Sequence, residues 1–204
     1  MLKLTYREVV VNKMSNGLNE LNSVGKTRNM VLCGLFTVLI IAGAFIKIPV
    51  PVVPFTLQFL FTMLAGLLLG AKWGAVSVAL YTVLGLMGLP VFAAGGGIWY
   101  VLNPSFGYIL AFIVGSYVTG RMVEGLQGFS WGRVLMANFT GLAIVYAGGM
   151  VYYYFICNFV IDTPIALWPL FLYCFLLAVP GDICLCILCA FFVKRIKPLL
   201  QLNR

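Results

Sequence analysis

The fold class predicted by this sequence is an all-α polytopic membrane protein. It has six transmembrane helices with both termini cytoplasmic, and a short helix or re-entrant segment before the last span. Three observations predict it. Hydrophobic residues fill 63% of the 204 positions and charged residues only 9%, against about 25% charge in a globular protein. No charge lies between Lys72 and Arg121. The apolar runs are continuous, which argues against a β-barrel, whose strands alternate apolar and polar in segments of about 10 residues.

A spanning helix needs about 20 apolar residues. Residues 1–28 are polar and basic, a cytoplasmic tail whose loose periodicity (Leu4, Val9, Val10, Met14, Leu18) suits a surface helix or disorder equally. The tail is not a secretory signal: the first apolar run starts too late and is too long. The membrane domain then covers 29–197. Its first span runs from Met30 to Ile46, followed by a stiff loop at Pro49, Pro51 and Pro54. The second is Phe55 to Leu69, with a tight turn at 70–72, and the third is Trp73 to Leu89. A glycine-rich loop, 90–104, precedes the fourth span, Ser105 to Thr119. Arg121 to Arg133 is a polar connection, and Val134 to about Phe155 is the fifth span. The apolar block Pro164 to Val193 is too long for one span and too short for two with a turn. Proline in a helix interior removes a hydrogen bond and clashes with the preceding turn, so Pro180-Gly181 divides the block. Residues 165–178 form the short helix or re-entrant segment, and the sixth span starts near Gly181. Residues 198–204 are a second cytoplasmic tail.

Charge supports this count. With six spans, twelve of the thirteen Lys and Arg residues lie on the side of the termini and Lys47 alone on the other, which satisfies the positive-inside rule with both ends cytoplasmic. Seven spans would place the basic C-terminal tail outside.

Composition removes several functions. The chain has no His, hence no His-dependent acid–base catalysis and no His metal or haem ligation. All six cysteines lie in apolar segments, which is not a secreted disulfide framework. Cys184, Cys186 and Cys189 are close together, but no carboxylate or His completes a ligand set, and buried free Cys packs as a small hydrophobe. The net charge of +8 is spread over loops and tails rather than gathered into a basic patch with stacking aromatics, so nucleic acid is not an expected partner.

Asp182 is the one acid inside the apolar blocks. A carboxylate at a spanning helix centre costs about 2.5–3.5 kcal/mol on insertion scales, which makes it the leading ligand-binding candidate. It also follows Pro-Gly at a helix start, where Asp is a favoured N-cap. Asp162, before Pro164, reads as a turn or N-cap residue. The run Lys47 to Gln58 holds three prolines, which fix φ and give an extended segment suited to capping a pocket. Thr56 and Gln58 carry polar groups from it into the second span. In the run Phe92 to Tyr100, Gly95, Gly96 and Gly97 let backbone groups approach a ligand, while Phe92, Trp99 and Tyr100 offer aromatic walls. No strand precedes these glycines and no Lys follows, so they are not a phosphate-binding loop. Tyr146, midway along the fifth span, needs a partner for its hydroxyl. Together these residues predict an apolar, aromatic, outward-facing site with neutral hydrogen-bond groups and one acid, suited to a small amphipathic ligand with N–H donors.

Several stretches in series resemble one family. They are Gly34-Leu-Phe-Thr-Val-Leu-Ile-Ile-Ala-Gly-Ala-Phe45, Ile48-Pro-Val-Pro-Val-Val-Pro-Phe-Thr-Leu-Gln58, Leu64-Ala-Gly-Leu-Leu-Leu-Gly70, Gly88-Leu-Pro-Val-Phe-Ala93, Asn103-Pro-Ser-Phe-Gly-Tyr108 and Pro180-Gly-Asp182. Over about residues 30–195 the chain resembles the BioY family, the biotin-binding S components of energy-coupling factor (ECF) vitamin transporters.

That resemblance implies a six-helix S component in the bacterial cytoplasmic membrane. It binds biotin from outside and hands it inward by toppling within an assembly with a membrane coupling subunit and two ATPase subunits. ATP is used by those partners, and no cofactor is expected in this chain. Asp182 would accept from the ureido N–H of biotin. Gly95, Gly96, Gly97 and Tyr100 would line the pocket, and the proline loop would close it. The family places a Lys three residues after this Asp, where this chain has Leu185. The biotin carboxylate would then meet Lys47, backbone N–H groups at a helix start, or water. The family also tends to carry small residues four apart on the first helix to dock the coupling subunit. Here Gly34 is followed by Val38, so close approach would use Gly34, Ala42 and Gly43 differently, with the coupling-subunit contact along Gly34, Val38 and Ala42. The residues alone leave three other readings open: an S component for another vitamin or a biotin precursor, an intramembrane enzyme, and a scaffold without a ligand. An enzyme would need a second catalytic group near Asp182, and no His, second acid or intramembrane Lys is present.

Overall fold

The computed structural model describes residues 25–48, 55–125 and 128–201. The chain divides into two compact units, Met1–Leu32 and Cys33–Arg204. Residues 25–32 of the first unit are described and are helical. Pro49, Pro51 and Pro54 of the expected capping loop lie outside the described residues, as does most of the N-terminal tail.

The first helix, α1, is Gly25–Phe45. Two short strands follow, β1 (Lys47–Ile48) and β2 (Phe55–Thr56), paired antiparallel with Lys47 opposite Thr56. Ile48 pairs with Phe55 in the same ladder. Then come α2 (Gln58–Leu69) and α3 (Ala71–Leu86), a 3-10 turn at Ile98–Leu102, and α4 (Phe106–Val123) and α5 (Trp131–Phe159). Next are α6 (Leu167–Phe171), a π-helical turn at Leu172–Leu176, and α7 (Val179–Gln201).

Four helical stretches among the described residues are long and apolar enough to cross a membrane: α1, α4, α5 and the continuous segment Leu167–Pro198. α2 and α3 are shorter. At 1.5 Å per residue the 12-residue α2 spans about 18 Å, against a hydrocarbon core of about 30 Å. It is also the most enclosed helix. Residues from Gln58 to Leu67 are buried on nearly every face, as expected of a helix apolar all round. α3, α4, α5 and α7 pack about it.

The last block divides as the sequence implied, with one refinement. Ala178 N–H bonds Phe175 O and Asp182 N–H bonds Ala178 O, so helical pairing resumes before Gly181. Pro180 sits in the first turn of α7, where a missing N–H costs nothing. Its ring clash falls on the carbonyl four residues earlier, at Leu176, and there the chain widens into the π turn.

Glycines let α2, α3 and α4 meet closely where α2 turns into α3. A Cβ on Gly74 would lie 2.6 Å from Gly66 Cα, and one on Gly120 would lie 2.6 Å from Ala71 N and 2.7 Å from Gly66 O. These are backbone atoms, which cannot swing away. Gly120→Ala is expected to destabilise the fold by about 1–3 kcal/mol, the usual cost of overpacking, seen as a lower melting temperature in detergent. An unchanged melt would mean the helices separate freely there. Side chains also bridge neighbouring helices: Thr37 Oγ1 donates to Ser77 O (3.1 Å), Thr119 Oγ1 to Ala137 O (3.2 Å) and Asn138 Nδ2 to Cys186 O (3.0 Å). Such bonds tie helices where packing supplies no hydrophobic drive.

Glu124, just past α4, caps the start of α3. Its Oε1 accepts from Ala71 N–H (2.9 Å) and its Oε2 from Arg121 (2.8 Å). The Ala71 N–H bond, then Arg121, holds its carboxyl below the usual carboxylate range. A depressed folded-state pKa gives stability that is full above the unfolded value and lost as pH falls through the folded one. Because Glu124 is partly exposed, the contribution is a few tenths of a kcal/mol. Glu124→Gln is expected to flatten the acid limb of the melting curve below about pH 4.5, where the unfolded carboxyl takes up its proton before the folded one does. Parallel acid limbs in the two proteins would rule the cap out as their cause.

Candidate ligand-binding site

The end of the second unit opposite the α2–α3 turn holds a cleft built by regular spacing. On α4 and its cap, Ser105, Tyr108, Ile109 and Phe112 recur at the interval that places side chains on one face. From the π turn to the first turn of α7, Cys174, Ala178 and Asp182 are each four apart. α5 adds Val145 and Tyr146. The ladder carries Thr56 to the start of α2, which adds Gln58 and Phe59. Ala93 and Tyr100 come from the loop between α3 and α4. These fourteen residues line the cleft together.

Its polar groups are few and buried. Asp182 is 8% exposed and Tyr146 4%, and Tyr146 Oη donates to Asp182 Oδ2. The Tyr146 ring meets Tyr108 edge-on at 6.3 Å and Phe175 at 5.3 Å, which fixes the hydroxyl on the carboxylate. A buried carboxylate is tolerated only with such partners. Gln58 Nε2 and Tyr108 Oη are buried without a hydrogen-bond partner among the described residues. Gln58 lies near the Tyr81 hydroxyl, itself unpartnered, and Tyr108 near the Cys174 thiol. A buried polar group without a partner costs about 1–3 kcal/mol, which a bound ligand can relieve.

The structure brings together five sequence candidates from four segments: Thr56, Gln58, Tyr100, Tyr146 and Asp182. Asp182 lies within the first turn of α7, so its carboxylate is turned to Tyr146 rather than capping the helix. Gly95, Gly96, Gly97 and Phe92 are not among the lining residues. Their backbone is engaged elsewhere: Phe92 and Gly95 exchange two bonds (2.9 and 3.1 Å), and Gly97 N–H bonds Gly85 O at 2.7 Å. A Cβ on Gly96 would run into Leu89 O. Phe92 is fully buried, its ring seated over Gly85 and 4.5 Å from Tyr100. The glycines therefore fold the loop tightly, and Phe92 backs the wall that Tyr100 presents. Trp99 is 80% exposed.

Leu185 is buried in the core and does not line the cleft. Gly34 has open space beside it, Val38 is 62% exposed and Ala42 is exposed, so these three form one outward face of α1. Gly43 faces inward, where a Cβ would lie 3.0 Å from Gln58 N. Cys184 is exposed while Cys186 and Cys189 are buried, and no three His, Cys, Asp or Glu side chains come together among the described residues. Asp162 sits in a turn with φ 49°.

The sequence reading missed Phe59, Ala93, Ser105, Tyr108, Ile109, Phe112, Val145, Cys174 and Ala178. A signal existed for the α4 group: the 105, 108, 109, 112 interval opens directly after Asn103-Pro104. Asn103 Oδ1 accepts from Ser105 N–H (3.0 Å) and Ser105 Oγ (2.7 Å), which fixes where that helix begins.

Comparison with known proteins is consistent across sequence and structure. The profile of the BioY family matches residues 13–202. A protein of Lysinibacillus sphaericus named "Probable biotin transporter BioY" is 41% identical over 170 residues, 83% of this chain and 87% of its own length. The "Biotin transporter BioY" of Thermotoga maritima is 44% identical over 133 residues, 65% of this chain and 75% of its own. The solved structure of the S component for biotin from an ECF-type ABC transporter is similar at a TM-score of 0.65 and 29% identity, covering 85% of this chain and 93% of that one.

Proposed function

The chain belongs to the BioY family, and from that premise we propose that its cleft captures biotin as the substrate-binding S component of an ECF-type transporter. The family is one of multi-pass membrane transporter components, not of enzymes. The observation that carries the reading is the buried Tyr146–Asp182 pair facing two unpartnered polar groups between aromatic walls. Biotin offers matching chemistry at its ureido ring. A ureido N–H donates to Asp182, Gln58 Nε2 donates to the ureido oxygen, and Tyr108 and Tyr100 flank the fused rings.

The remaining features fit the same role. Six crossings, with tails 1–28 and 198–204 in the cytoplasm around a membrane domain of 29–197, are supported by the distribution of Lys and Arg. The short α2 and α3 are then crossings sheltered by longer neighbours. The membrane is the bacterial cytoplasmic membrane, with the cleft facing out. The partners are a membrane coupling subunit, met along Gly34, Val38 and Ala42, and two ATPase subunits that use the ATP. This chain itself holds no cofactor.

One second reading, an S component for another vitamin, one without a carboxylate, is favoured because no Lys or Arg is among the described residues that line the cleft. A thermal-shift panel of biotin, riboflavin and thiamine separates the two. Biotin at about 100 times its Kd stabilises by about 2.7 kcal/mol, so biotin alone is expected to raise the melting temperature. A shift with another vitamin and none with biotin would overturn the biotin reading.

A further inference from the structure

The cleft has an acid for N–H donors but no cation among its lining residues. A carboxylate ligand left without a charged partner there would lose affinity, because burying an ion unpaired is costly. Among the described residues, one cation is tied to the rim. Lys47 stands opposite Thr56 across the two-stranded ladder, and its Nζ donates to Ala93 O at 3.0 Å. Thr56 and Ala93 both line the cleft. Lys47 thus bridges two of its walls and holds its ammonium at the carbonyl of a lining residue. Its side chain is exposed, and it forms no ion pair among the described residues. Other cations sit away from this rim: Arg121 and Lys72 lie around Glu124, and Lys194 lies 5.4 Å from the Trp131 ring centre.

We propose that Lys47 is the specificity-determining cation of this site: it recognises the carboxylate of the ligand at the mouth while Asp182 holds the N–H donors at the buried end. The inference rests on the biotin reading and adds to it the residue that distinguishes a free acid from its neutral derivatives. An ammonium has three donors, so Nζ keeps Ala93 O as one acceptor and takes the carboxylate as another. The charge-assisted bond is stronger than the neutral one. Because the group lies at the rim, its contribution appears in affinity and in ligand choice rather than in folding.

The test is calorimetric titration of biotin and of biotin carboxamide into the wild type and Lys47→Gln. The wild type is expected to bind biotin about 10–100-fold more tightly than the carboxamide, the scale of a hydrogen bond to a charged group. Lys47→Gln should bring the two ligands to similar affinity, with the carboxamide little changed. Lys47→Met, with a stem of nearly the same length, serves if Lys47→Gln misfolds. An unchanged preference for biotin in both variants would overturn the assignment while leaving biotin capture intact. An equal loss for both ligands would also overturn it, because it marks a role in holding the loop. If the wild type binds neither ligand, the biotin reading fails and this inference falls with it.

Discussion

Asp182→Asn is expected to weaken biotin binding by about 10–150-fold while leaving the unliganded protein as stable as before, or more so. The carboxylate is 8% exposed and takes one hydrogen bond from Tyr146. Its charge costs free energy in the empty site, and only a ligand N–H donor offsets more of that cost. Asn has the same shape and still accepts from Tyr146. Facing the ligand, however, it presents a neutral amide in place of a charge, and a hydrogen bond to a charged group is worth about 1.5–3 kcal/mol, with about 1.4 kcal/mol per factor of ten. The opposite signs separate function from packing: a residue retained for the fold would lower the melting temperature when changed. Tyr146→Phe should give the reverse pattern. It leaves Asp182 less satisfied, so the unliganded protein loses stability by about 1–3 kcal/mol and affinity changes less. Calorimetry and melting of the two variants side by side check both. Unchanged affinity in Asp182→Asn would remove the carboxylate from the binding account.

Gln58→Leu is the second large effect, and its sign in the unliganded protein is again the informative part. Gln58 is 5% exposed and its Nε2 has no partner among the described residues. Replacing an unpaired buried amide by an isosteric apolar group is neutral or stabilising in the empty state. In the bound state the ureido oxygen loses its donor, at about 1–3 kcal/mol, or roughly 5–150-fold in Kd. The expected result is an equal or higher melting temperature with weaker biotin binding. A lower melting temperature with full affinity would show that Gln58 holds α2 in place and does not serve the ligand.

Much of this was legible in the sequence, and the exceptions have physical causes. α1, α4 and α5 follow from apolar runs long enough to span, and the short helix before α7 follows from Pro180. The break falls at residues 177 and 178 rather than at Gly181, because a proline disturbs the turn before it and is tolerated in the first turn of the helix it opens. α2 is shorter than its apolar run suggests. That run includes Phe55 and Thr56, which pair as a strand with Lys47 and Ile48, and pairing partners are not visible from one segment alone. The residues that line the cleft divide in the same way. Asp182, Gln58 and Tyr146 stood out because a polar group in an apolar run needs a reason. Phe59, Ile109, Phe112 and Val145 resemble any core residue, and only assembly shows which face a cleft. Gly95 to Gly97 could be read either way, because glycine permits both close approach to a ligand and a tight loop. Here the loop takes the glycines, through bonds to Gly85 and Phe92 that no local pattern announces.

Biotin binding in this cleft is tested most directly by titration of biotin into the purified chain in lipid nanodiscs. The expected result is one site per chain with a dissociation constant in the nanomolar range. No binding heat from a chain that melts cooperatively, or saturation only at millimolar biotin, would contradict it.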